Sequence, residues 1–132
     1  MNRVKTVEGE LILVVDEVEE TRDAIEELLR ANTYRVSAAR DERCAVERAS
    51  RQRPELILMS RSRSADAVAI VRRIRDHANL EKTVPLVILT AEKIAEGTEI
   101  DLGENTHLIH PDNFDQLRRL VHRLIHQIPS LS

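Results

Sequence analysis

Short apolar runs recur along the chain, and the stretches between them carry apolar residues at every third or fourth position. The string LILVV, residues 11–15, is continuously apolar and β-branched, as expected of a strand covered on both faces of a parallel sheet. Residues 34–39 (YRVSAA) give a second, weaker strand. Leu56 to Met59 form a third that runs out at Ser60, and Leu86 to Leu89, opened by Pro85 and ending at Thr90, a fourth. Thr106 to Ile109 is a short fifth.

Between these runs the period changes to that of a helix. Ala24, Ile25, Leu28 and Leu29 mark an amphipathic helix over residues 20–31. Asp41 is the expected N-cap of the next, whose apolar face is Ala45, Val46 and Ala49, with Pro54 separating it from the third strand. Residues 65–77 repeat the pattern with Ala67, Val68, Ile70, Val71 and Ile74 facing inward. Residues 91–105 predict only a weak fourth helix, because Ile94, Ile100 and Leu102 are sparse and Gly97 and Gly103 interrupt them. Asn113 is the expected cap of a last helix. Phe114, Leu117, Leu120, Val121, Leu124, Ile125 and Ile128 lie on one of its faces, and Pro129 follows its end.

Strands alternating with helices make a βαβ series, and right-handed crossovers then require a parallel sheet between two helical layers. The predicted fold is a doubly wound α/β domain over residues 11–128, with an extension at 1–10 and a tail at 129–132. A length of 132 residues suffices for one core and no second module.

Composition narrows the function. Twenty basic against 23 acidic residues leave a net charge of −3, so no global field draws nucleic acid or an anionic membrane. With aromatic content at 2%, base-stacking platforms are excluded. The single cysteine, Cys44, rules out an internal disulfide and fits a reducing compartment; it is read as an incidental residue on the exposed side of its helix. No run is long enough for a signal peptide or a membrane span, and the expected location is the cytoplasm.

In doubly wound sheets, ligands gather at the carboxyl ends of the strands. Here those ends carry Asp16 and Glu17, Ser60, Thr90, and His110 with Pro111. They are expected to converge in one pocket.

The segments LVVDE, YRVSAA, RPELILMS, VPLVILTA and HLIHP, with the spacing from Asp16 to Ser60, make the chain resemble a response-regulator receiver domain, the phosphoacceptor module of two-component signalling. The likeness spans about Leu11 to Ile128 and implies a flavodoxin-like, five-stranded sheet of order 2-1-3-4-5. In working receivers the third strand ends in an aspartate that attacks a phosphoryl donor, and Mg²⁺ bridges it, the acidic pair and the phosphate. Ser60 holds that position here. A serine hydroxyl is a weak nucleophile without a base, and its phosphoester is far less labile than an acyl phosphate. His110 stands where the family carries a lysine, and a free imidazole is mostly uncharged near neutral pH. Thr90 keeps the family's reporting hydroxyl, but its aromatic partner is replaced by His107. The loop after Ser60 and the segment from Thr90 to His110 are both shorter than the family pattern.

The resemblance therefore implies a degenerate receiver, or pseudo-receiver: not an enzyme, not phosphorylated on aspartate, and acting through protein recognition. A histidine kinase or a downstream regulator is the expected partner, and a homodimer through the fourth helix, fifth strand and last helix is the family's usual self-association. Asp16 and Glu17 remain weak Mg²⁺ candidates, and their repulsion is as readily relieved by Arg61 or Arg63. Two alternatives differ in class. One is a receiver that takes a phosphoryl group at an unconventional residue, or a hydrolase using Ser60 and His110, although no nucleophile-elbow pattern surrounds the serine. The other is a nucleic-acid adaptor whose basic face joins Arg72, Arg73 and Arg75 to Arg118, Arg119 and Arg123; the plainer reading is ordinary helix surface. His77, His107, His110, His122 and His126 invite a metal site, yet no third ligand accompanies the i,i+4 pair His122 and His126, which is read as a solvated face.

Overall fold

The computed structural model describes residues 9–61, 64–90, 97–110 and 114–126. Its elements are β1 (Leu11–Val15), α1 (Glu19–Ala31), β2 (Arg35–Ala39), α2 (Glu42–Arg51), β3 (Leu56–Ser60), α3 (Ser64–His77), β4 (Leu86–Leu89), β5 (Glu99–Gly103), β6 (Thr106–Ile109) and α4 (Phe114–Ile125). The sheet order is β2-β1-β3-β4-β6-β5. Its first five members are parallel neighbours, so the expected 2-1-3-4-5 arrangement stands with β6 in fifth place.

The weak helix predicted for residues 91–105 is corrected over its second half. Residues 99–103 form β5, paired antiparallel with β6 along the edge of the sheet. The cause is turn chemistry. Gly103, Glu104 and Asn105 take φ of 85°, 53° and 60°, and the Asp101 carboxylate accepts the Gly103 N–H at 2.8 Å, which reverses the chain into β6. Ile100 packs inward against the core. Residues 91–96 lie outside the described set.

Strand alternation divides the core in two. Leu13, Val15, Ile57, Met59 and Ile88 face α2 and α3 and meet Ala45, Ala49, Ala67, Val71 and Ile74. Ile12, Val14, Leu56, Leu58 and Val87 face α1 and α4 and meet Ile25, Leu29, Leu117, Leu120 and Val121. Asp41 caps α2 as expected, accepting from the Cys44 N–H at 2.8 Å. The expected Asn113 cap, Ile128 and Pro129 lie outside the described residues.

Several helix-face assignments change. Ala24 is exposed, and Phe114, first in α4 and ahead of the core-facing Leu117, is 37% exposed. Cys44 is half-buried against the α2–α3 side of the core, and Arg48 Nε donates to its sulfur at 3.4 Å. Arg75 is the largest departure, for it is buried at 1% exposure rather than on the helix surface. Its Nη1 donates to the carbonyls of Lys82, Val84 and Glu104 at 3.3, 3.1 and 3.0 Å, tying the loop before β4 to the β5–β6 turn. Arg73 stays outside and grips Glu42 with two bonds of 2.7 and 2.8 Å, joining α3 to α2.

Close backbone approach governs the end of α1. Thr33 adopts φ of 72°, and a Cβ added to Gly9 would lie 2.1 Å from its carbonyl oxygen. Only glycine fits at position 9.

Candidate functional site

Parallel register decides which strand ends meet. Val15 stands opposite Met59, Ser60 opposite Leu89, and Leu89 opposite Ile109. Asp16 therefore emerges beside Ser60, while Thr90 and His110 follow at the ends of β4 and β6. Backbone bonds extend the ladder to this rim: Asp16 N–H to Ala39, Arg61 N–H to Leu89 and Thr90 N–H to Ile109, at 3.0, 3.1 and 3.0 Å.

Asp16 is 4% exposed. One carboxylate oxygen, Oδ1, accepts the Val18 N–H at 2.9 Å, and Arg22 Nη1 donates to the Asp16 carbonyl at 2.9 Å. The other, Oδ2, is buried without a hydrogen-bond partner. Burial pushes the carboxyl above its ordinary value; the Val18 N–H, the nearby Ser60 hydroxyl and the Arg22 charge oppose this without reversing it. Glu17 is exposed, and Arg61 Nη1 lies 3.3 Å from its Oε2. That ion pair matches the expected relief of the acidic pair by Arg61, whereas Arg63 falls outside the described residues.

Asp16, Glu17, Ser60 and Arg61 line one cleft of about 190 Å³, together with Arg40, Asp41, Met59 and Ile70. Thr90, fully buried, and His110, half-buried, stand at the adjoining strand ends but are not among the described residues lining that cleft. Of the five expected pocket residues, the fold thus brings three together directly and holds two at the rim. Arg22 and Arg40 were not anticipated as neighbours of the site, and nothing in their spacing marks them. A larger groove of about 700 Å³ between α1 and α2 contains neither Asp16 nor Ser60.

The residues present suit a hydrogen-bonding cleft better than a metal centre. Two carboxylates remain, one paired with a guanidinium and the other accepting a backbone N–H. Among the described residues no group of three or more His, Cys, Asp or Glu is placed to hold an ion. The Ser60 hydroxyl hydrogen-bonds with the Asp16 carboxyl, whose pKa burial raises, and no nucleophile-elbow turn surrounds it.

His107, at the expected aromatic position, is 8% exposed, and neither ring nitrogen has a hydrogen-bond partner. Its Nδ1 lies 3.7 Å from Glu99 Oε2 on β5, a carboxylate that Arg123 of α4 also holds. The buried imidazole is thus linked through Glu99 of β5 to Arg123 of α4.

Comparison with known proteins agrees with this architecture. The family model described as response regulator receiver domain matches residues 12–122. The receiver domain of a sensor histidine kinase from Pseudomonas aeruginosa PAO1, solved with magnesium coordinated in its active-site cleft, is 29% identical; the match covers 89% of this chain and 98% of that one at a TM-score of 0.64. The receiver domain of a signal transduction histidine kinase from Syntrophus aciditrophicus is 23% identical, with 94% and 98% covered and a TM-score of 0.69. A putative response regulator from Chloroflexus aurantiacus is 22% identical, with 90% and 99% covered at 0.70. No match is found among curated proteins. No helix among the described residues is long and apolar enough to cross a membrane.

Proposed function

The chain belongs to the response regulator receiver domain family, and from that premise we propose that it is a pseudo-receiver: a signalling module that acts by protein recognition and has lost the aspartyl-phosphate switch. The domain occupies residues 11–128, between an extension at 1–10 and a tail at 129–132, and it works in the cytoplasm with a histidine kinase or a downstream regulator as its partner.

One observation carries this reading. At the tip of β3, where the resemblance places the phosphoacceptor carboxylate, the cleft has the hydroxyl of Ser60 beside the buried Asp16. Phosphoryl transfer to a carboxylate needs the nucleophile and cations that offset the charge on the phosphoryl oxygens. Here the nucleophile is absent, His110 replaces the lysine, and Arg61 already pairs with Glu17. The family's Mg²⁺ accordingly has no place in the proposed mechanism.

A nucleic-acid adaptor is less well supported, because the arginines do not merge into one stripe. Arg75 is buried, Arg73 pairs with Glu42, Arg118 and Arg119 with Asp115, and Arg123 with Glu99. The family's usual dimer surface is redrawn, since β5 rather than a helix occupies residues 99–103 beside β6 and α4.

The test is incubation with acetyl phosphate and Mg²⁺, followed by intact mass measurement. The unmodified mass is expected; a labile phosphoryl adduct overturns the proposal. Capture of a histidine kinase or regulator by the immobilised domain, unchanged by acetyl phosphate, is the expected positive result.

A further inference from the structure

The outward face of α4 carries chemistry that the receiver reading does not use. His122 and His126 are both exposed there, one turn apart, with ring centroids 4.4 Å from each other and planes tilted by 41°. Side chains at i and i+4 share one helix face, so both rings project from the same patch. Two imidazoles so placed are the donor set that a borderline divalent metal prefers, with metal–nitrogen bonds of about 2.0 to 2.1 Å.

A basic surround would oppose a cation, but the arginines beside the pair already have partners. Arg118 Nη2 lies 2.5 Å and Arg119 Nη1 3.5 Å from Asp115, and Arg123 is held by Glu99 on β5. These two carboxylates, Asp115 shared by Arg118 and Arg119, offset two of the three nearby positive charges and leave the imidazoles as nitrogen donors on the face. The patch is separate from Asp16 and Glu17, whose oxygen ligands suit hard ions instead.

We propose that His122 and His126 form a two-imidazole site for a borderline divalent transition-metal ion such as Zn²⁺ or Ni²⁺. Among the described residues no third ligand completes it, so it is an open chelate with water in the remaining positions rather than a closed structural site. Binding requires neutral rings and therefore releases protons when it begins from imidazolium.

Calorimetric titration of the full chain with ZnCl₂, and separately with NiCl₂, tests this. One equivalent is expected to bind near neutral pH, more weakly as the solution is acidified. His122→Ala or His126→Ala converts a chelate into a single ligand and is expected to weaken binding at least about tenfold, whereas His77→Ala leaves it unchanged. Both histidines are exposed, so the variants are expected to keep the parent far-ultraviolet circular dichroism; His122→Gln and His126→Gln serve if they do not. Absence of binding to the parent chain, or an affinity in the single His122 and His126 variants equal to the parent's, overturns the proposal.

Discussion

Arg61 Nη1 lies 3.3 Å from Glu17 Oε2, and this contact places a tethered cation at the mouth of the cleft that Asp16 and Ser60 share. The pair is largely exposed, so it contributes about 0 to 1 kcal/mol to stability and weakens with added salt. Its larger effect is on charge in the cleft. Ser60→Asp adds a third carboxylate beside Asp16 and is expected to confer Mg²⁺ binding detectable by calorimetry, while the parent gives no such signal. Equal Mg²⁺ affinity in parent and variant would contradict the account of the cleft.

Asp16 sets a pH dependence. Burial raises its pKa above the ordinary 3.8, so the folded chain holds the proton more tightly than the unfolded chain does. By linkage, stability then falls as pH rises through the interval from 3.8 up to the raised value, and the loss is complete above it. Asp16→Asn removes that cost and still accepts the Val18 N–H. It is expected to raise the urea midpoint at neutral pH, and the gain should close as the solution is taken below 3.8. A midpoint unchanged or lowered at pH 7 would count against it.

Arg75 is expected to be among the most sensitive polar positions. Arg75→Met keeps an unbranched apolar stem but removes the guanidinium and with it the hydrogen bonds to three carbonyls, those of Lys82, Val84 and Glu104. A loss of about 2 to 4 kcal/mol follows from unsatisfied buried acceptors. Denaturant unfolding measures it, and a change under about 1 kcal/mol would show that water replaces the guanidinium.

The fold was legible because each apolar run matched one strand and each 3.6-residue stripe one helix. Two signals were misread. Gly103 reads in the sequence as a helix interruption, whereas with Glu104 and Asn105 it forms a left-handed stretch that closes a hairpin. Arg75 was placed on the surface by its charge, yet its reach to loop carbonyls in other segments decides its burial, and such long-range geometry leaves no local pattern. In the site, Asp16, Glu17, Ser60 and Arg61 were legible because parallel register assembles strand ends. The link of His107 to Glu99 was not, since it depends on a strand that the pattern did not predict.

Thr33 offers a stabilising change. It is exposed, β-branched and held at φ of 72° just beyond α1, a conformation that glycine adopts without strain. Thr33→Gly is expected to add about 1 kcal/mol, read as a higher thermal midpoint. A lower midpoint would show that the threonine side chain contributes more than the backbone strain costs.

The β5 hairpin changes what a binding protein encounters at this border. At residues 99–103 the molecule offers an extended, acid-bearing ribbon with Glu99 and Asp101 along it, instead of the ridged cylinder of a helix. A protein that docks across residues 99–103 would therefore meet the free backbone edge of an outer strand, a surface suited to strand addition.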